Sequence, residues 1–292
     1  LFVIKTTNRL MDAARCYAAG LIEGLDKAFA FVKKDMLIAV SYKLQFVFQF
    51  SQVFFAVAVI YFIGKMLEGS GKSPVLARYG VAYFPFALVG LAVSSYLKAG
   101  LVTITNDIRQ VMNQGTLEAM CAAPVGYKSL LFCGALWPFV FETFRVLFYF
   151  VVAMTVFGMR LDKANWVAAG VAMVLTIPIF ILLGVTSSSI LVLVKRGDPI
   201  NWVFSSAASL LAGTMFPISV LPRWLRAVSF CLPLTHSLEA VRKSLLTGAS
   251  VGQLHTHLFA LLVFIVILAP LTILINNLCM QKAKRCGAFG TH

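Results

Sequence analysis

Phe216-Pro217-Ile218-Ser219-Val220-Leu221-Pro222-Arg223-Trp224-Leu225, running on to Pro233-Leu234-Thr235-His236-Ser237-Leu238-Glu239-Ala240-Val241-Arg242, interrupts an apolar sequence between two hydrophobic runs. Pro217, Pro222 and Pro233 forbid one continuous helix, because each lacks a backbone donor and crowds the preceding turn. The stretch is expected to form two short half-helices at a membrane edge. Trp224 would lie at interface depth, with Arg223, Arg226, Arg242 and Lys243 reaching water.

The composition outside this stretch requires the membrane. Of 292 residues, 60% are hydrophobic and only 12% charged, and the mean hydropathy is +0.89. Soluble domains run at about 45–50% apolar and 25% charged. The cations behind the net charge of +14 sit at the ends of apolar runs, where anionic headgroups of membrane lipids attract them. No basic patch is interleaved with exposed aromatics, so nucleic acid is not an expected partner. The six cysteines show no CxxC spacing and read as small packing residues rather than a metal site or disulfide framework. A cleavable signal peptide is not expected, because the apolar opening Leu1 to Ile4 is too short.

Six spans are predicted, about Gln45–Ile63, Tyr79–Leu101, Ser129–Phe157, Trp166–Val194, Trp202–Met215 and Leu258–Cys279. The fifth is short, which fits a helix that ends inside the bilayer and hands over to the broken segment. Irregular backbone at that depth needs protein or a water-filled cavity beside it. Lys5, Arg9, Arg15, Lys27, Lys33, Lys34 and Lys43 precede the first span, and Lys282, Lys284 and Arg285 follow the last. They place both termini in the cytoplasm, although Lys65, Lys72, Arg78, Arg160 and Lys163 fall in loops on the other side. The predicted organisation is a cytoplasmic N-terminus over 1–44, a transmembrane domain over 45–279 and a cytoplasmic tail over 280–292. Leu21–Tyr42 is read as an amphipathic surface helix with Leu25, Ala28, Phe29, Val32, Met36 and Ala39 on its apolar side.

Between the second and third spans, a cytoplasmic loop over about 105–127 carries Asn113-Gln114-Gly115-Thr116-Leu117-Glu118-Ala119-Met120-Cys121-Ala122-Ala123-Pro124. Gly115 and Thr116 can start a short helix, Glu118 suits its positive end, and Pro124 stops it.

The broken segment resembles the region before the last span in permease subunits of type-2 ABC exporters, in its Phe-Pro step, its Leu-Pro-x-Trp-Leu and its Pro-Leu-Thr-His. The string from Gly115 to Pro124 resembles the coupling segment that those permeases insert into a groove of the ATPase. Asp107-Ile108-Arg109-Gln110 stands where the family often has residues richer in Glu and Arg. The resemblance implies an all-α membrane protein of about six transmembrane helices, with an N-terminal amphipathic surface helix and re-entrant half-helices before the last span. It implies a transport subunit rather than an enzyme, paired as a homodimer above two cytoplasmic ATPase subunits that carry the ATP and Mg, with no cofactor on this chain. The location would be the plasma (cell inner) membrane. The cargo would be an amphipathic lipid, drug-like molecule or lipid-linked glycan moved outward. Coupling would fall to Gly115, Thr116, Leu117, Glu118, Met120 and Pro124. The segment over about 216–246 would form an external gate, with Phe216, Pro217, Leu221, Pro222, Trp224, Pro233 and His236.

Gly69-Ser70-Gly71-Lys72-Ser73 looks like the end of a phosphate-binding loop, but Met66 stands where the first glycine is needed and Pro74 follows directly. Energy would therefore come from a separate subunit. Glu142 and Arg145, three apart in the third span, can form a local ion pair or contact substrate. Gln45, Gln49 and Gln52 share a face of the first span, where they could line a path or bond across a dimer. Lys98 can snorkel to headgroups. A secondary, ion-coupled transporter would need mid-membrane carboxylates in two related halves; only Glu142 qualifies, and no second half is visible. A membrane enzyme would need more than His236, Glu239 and Arg242 at the interface.

Overall fold

The computed structural model describes residues 29–37, 41–69, 82–115, 132, 134–194 and 199–285, and among these the regular elements are all helical. The first, α1, covers residues 29–37. Phe29, Met36 and Leu37 are exposed on it, whereas Phe31 and Val32 are half-buried. The remainder of the predicted surface helix, 21–28 and 38–40, lies outside the described residues.

Among the described residues, five helical stretches are long and apolar enough to span a bilayer. They are α2 (Lys43–Gly69), a rod built of α3 (Tyr83–Lys98), a π-helical turn (Ala99–Thr103) and α4 (Ile104–Asn113), then α5 (Leu136–Thr155), α6 (Trp166–Val194) and α10 (His255–Arg285). The fifth predicted span is α7 (Pro199–Leu211), 13 residues long. At about 1.5 Å per residue it covers roughly 20 Å and cannot cross alone.

The rod departs from expectation. Residues 104–113, read from sequence as the start of a loop, continue the second span as helix. Asn106 and Asp107 look like turn residues, but Ile104, Thr105 and Ile108 are buried, and the α4 face they form packs on α6. Thr105 Oγ1 closes locally on Leu101 O at 2.6 Å. Tertiary burial outweighs the weak local preference. Asp107 at this end lies within electrostatic reach of Lys34 and Asp35 of α1.

Helix α6 is the hub, packed by α10, α4 and the π turn. It is apolar all round, so a central place strands no polar face. Hydroxyls join it to its neighbours: Thr186 and Thr272 oxygens lie 2.9 Å apart, and Thr176 donates to Ser237 at 2.9 Å. Where the π turn crosses α6, Gly100 and Gly184 face each other so closely that a Cβ on either would overlap the opposing backbone. Helix α2 packs on α3 and α5. Phe259, Val266, Ile267 and Leu274 of α10 remain exposed.

After α7 the chain breaks where the prolines predict. A 3-10 turn (Ile218–Val220) is followed by α8 (Arg223–Phe230) and α9 (Pro233–Thr247). Pro222 is the N-cap of α8 and Pro233 opens α9, positions where a missing donor costs nothing. Ser229 Oγ at the end of α8 donates to Leu211 O of α7 at 2.6 Å, so α8 folds back beside α7 as a re-entrant half-helix. Helix α9 then packs between α3 and α6.

Candidate functional site

The end of α7 sets the geometry of the broken segment. Gly213 has φ +71°, Gly213 N–H donates to Leu210 O and Thr214 N–H to Ser209 O. This is a Schellman closure, which favours glycine because the left-handed conformation penalises a Cβ. The chain then leaves with the carbonyls of Gly213 and Thr214 pointing into the protein. Buried carbonyls need donors, and Arg242 supplies them: Nη1 donates to Gly213 O at 2.9 Å and Nη2 to Thr214 O at 2.6 Å. Its guanidinium carbon lies 3.6 Å from the centre of the Phe86 ring of α3. Arg242 is wholly buried.

That corrects the expectation for the four cations. Arg223 is exposed as predicted. Arg226 is half-buried and turns back to donate to Ser219 O at 2.7 Å. Lys243 Nζ donates to His257 Nε2 at 2.9 Å, and Arg242 never reaches water. A tight turn between half-helices exposes more carbonyls than its own amides can satisfy, and long cationic side chains close the deficit.

The predicted gate residues divide. Pro217, Leu221 and Pro233 are buried and Phe216 is half-buried, whereas Pro222 and Trp224 are exposed. Trp224 points away from the chain's own core, where an interfacial aromatic belongs. His236 Nε2 lies 2.9 Å from Phe230 O, so that nitrogen carries the proton and ties the start of α9 to the end of α8. Its ring is 5.8 Å from that of His257. Among the described residues, no three of His, Cys, Asp and Glu converge as a metal site.

Deeper in the chain, Arg145 Nη1 and Glu142 Oε2 are 3.4 Å apart, the carboxylate side chain 5% exposed and the guanidinium 28%. Nearby, Tyr96 OH donates to Thr143 Oγ1 at 3.0 Å, joining α3 to α5. Arg145→Met should lower stability by about 3 kcal/mol, because it leaves a buried carboxylate unpaired. The double variant with Glu142→Gln should recover most of that loss. Thermal unfolding of the detergent-solubilised protein checks both, and a single variant as stable as the double would contradict the pairing.

Gln49 and Gln52 lie with Leu44, Phe48, Ser51 and Phe55 along one open face of α2. The side chain of Gln45 is outside the described residues. Lys98 is exposed on α3. Gly115, with φ +67°, closes α4 in the left-handed conformation, a role as a terminator that the sequence reading assigned to a helix start. Thr116, Leu117, Glu118, Met120 and Pro124 lie outside the described residues. Phe86, Gly90 and Gly213 escaped the sequence reading. A glycine at the close of an apolar run was the one signal for Gly213, and nothing local marks the other two.

Five membrane-length helices among the described residues, with a pair of half-helices before the last of them, mark a multi-pass membrane protein. The chain belongs to the ABC-2 type transporter family, whose match covers residues 28–246. It is 25% identical over 218 residues to Nodulation protein J of Rhizobium meliloti (strain 1021), covering 72% of this chain and 78% of that protein. It is also 24% identical over 218 residues to Nodulation protein J of Rhizobium leguminosarum bv. viciae, covering 72% and 79%. To the protein of the same name in Sinorhizobium fredii (strain NBRC 101917 / NGR234) it is 24% identical over 207 residues.

Proposed function

We propose that this chain is the membrane permease of an ATP-driven exporter, and that the segment over 216–246 is the external lid of its pathway. Two copies would pair in the plasma membrane, with both termini cytoplasmic, above two ATPase subunits that supply ATP and Mg. Closure of the ATPases would push on the segment from Gly115 to Pro124 and switch the cavity between the copies. The cargo would be amphipathic: a lipid, a drug-like molecule or a lipid-linked glycan. The polar row of Gln49 and Gln52 beside Phe48 and Phe55 suits a molecule that is apolar with a polar part. The broken segment supports this reading: its exposed Val220 and Trp224 would cover the outer mouth with apolar side chains, and a dry constriction would keep ions out between cycles.

Locking the segment tests this. Val220 is 58% exposed, and Val220→Cys in a background with all six native cysteines replaced by Ser puts a single thiol on the segment of each copy, to be tested for oxidative crosslinking between them. The complex with its ATPase, in proteoliposomes, should move an NBD-labelled phospholipid or a hydrophobic dye at background rate once oxidised, and recover on reduction. Transport unchanged by the crosslink would make the segment a fixed plug.

A further inference from the structure

The guanidinium of Arg242 joins three parts of the fold: α9, which carries it, the end of α7 and the face of α3. We propose that Arg242 is the positioning residue through which movement of the long rod α3–α4 reaches the outer segment; the inference rests on reading that segment as a lid. One face of α3 is built around the clamp. Phe86 lies under the guanidinium. Gly90, one turn further along the same face, meets the clamped backbone so closely that a Cβ would overlap Thr214 O and come within 2.6 Å of Nη2. Thus the rod carries both the ring beneath Arg242 and the gap that admits the carbonyl Arg242 holds.

The clamp sits near one end of the rod, which runs as helix over Tyr83–Asn113, 31 residues or about 46 Å in all, through the π turn to the left-handed turn at Gly115. A push delivered at that turn travels along a helix rather than through a loop. Where the rod crosses α6, its π turn sits on the close Gly100–Gly184 contact. π turns relax the regular ladder and often mark functional bends, so this crossing serves as the pivot. At the far end, the outer segment cannot stay behind when α3 shifts. Were α3 to shift alone, the guanidinium would lose the Phe86 ring beneath it and the close contact of Gly90 with the Thr214 carbonyl would open, losses that a site closed to water makes costly.

Arg242→Lys keeps the buried cation but not the fork that spans two carbonyls, and Arg242→Gln removes the charge. Cys231, exposed beside α8, reports the segment when the other five cysteines are replaced by Ser. The probe is the rate at which a water-soluble maleimide labels Cys231 in the full complex, with and without ATP and vanadate. In the Arg242 background the rate should change severalfold on trapping. In the Lys variant the complex should assemble and hydrolyse ATP, yet label at the same rate in both states, and Gln should behave alike wherever it assembles. A merely structural role would instead lower assembly and hydrolysis together. A Lys variant with the full nucleotide response overturns the clamp while leaving the lid intact. No response in the Arg242 background overturns the lid and the clamp with it.

Discussion

Glu118→Lys should abolish transport while leaving membrane insertion intact. Leu117 and Met120, three apart in the string that follows Gly115, would present an apolar knob to the ATPase, and Glu118 would sit near the positive end of that short helix. A cation there reverses a favourable interaction with the helix dipole, a change of about 1 kcal/mol in the helix alone. The larger effect is on docking, where a like-charge contact can cost several kcal/mol. ATP-driven movement of the NBD-labelled phospholipid or dye should fall to background in proteoliposomes, with membrane-fraction yield unchanged. Normal transport by this variant would show that the coupling segment lies elsewhere.

Gly90→Leu should prevent recovery of the folded protein, and Gly90→Ala should already destabilise it by about 1–3 kcal/mol. The obstacle to even one methyl is the Thr214 carbonyl together with the Arg242 guanidinium, and neither can rotate aside without surrendering a hydrogen bond. Gly170 of α6 provides the contrast, since a Cβ there meets nothing within 4 Å. Gly170→Ala should be neutral or stabilising by about 0.5–1 kcal/mol. Thermal unfolding in detergent reads both, and equal stabilities for the two alanine variants would contradict the close approach at Gly90.

The membrane class, the short fifth span and the broken segment were legible because prolines and long apolar runs act locally. Pro222 and Pro233 begin α8 and α9 where the missing donors predict, and Trp166–Val194 is one helix as read. The ion pair of Glu142 with Arg145 was also legible, since three-residue spacing in a helix makes neighbours. The fate of Arg242 was not. Its partners are 29 and 28 residues away in sequence, and no local pattern says which carbonyls a turn will leave unsatisfied. The extension of the second span to Asn113 was hidden for the same reason: Asn106 and Asp107 suggest a turn until α6 is known to cover Ile104 and Ile108.

On the function proposed for it, this chain moves its cargo only when a separate ATPase drives it. Expressed alone and purified, it should hydrolyse no ATP. Co-expressed with its cognate ATPase, it should copurify as a complex, and ATP hydrolysis should appear with that complex. Robust hydrolysis by the isolated chain, free of contaminating ATPase, would contradict the claim, as would an ATPase that neither binds the chain nor depends on it.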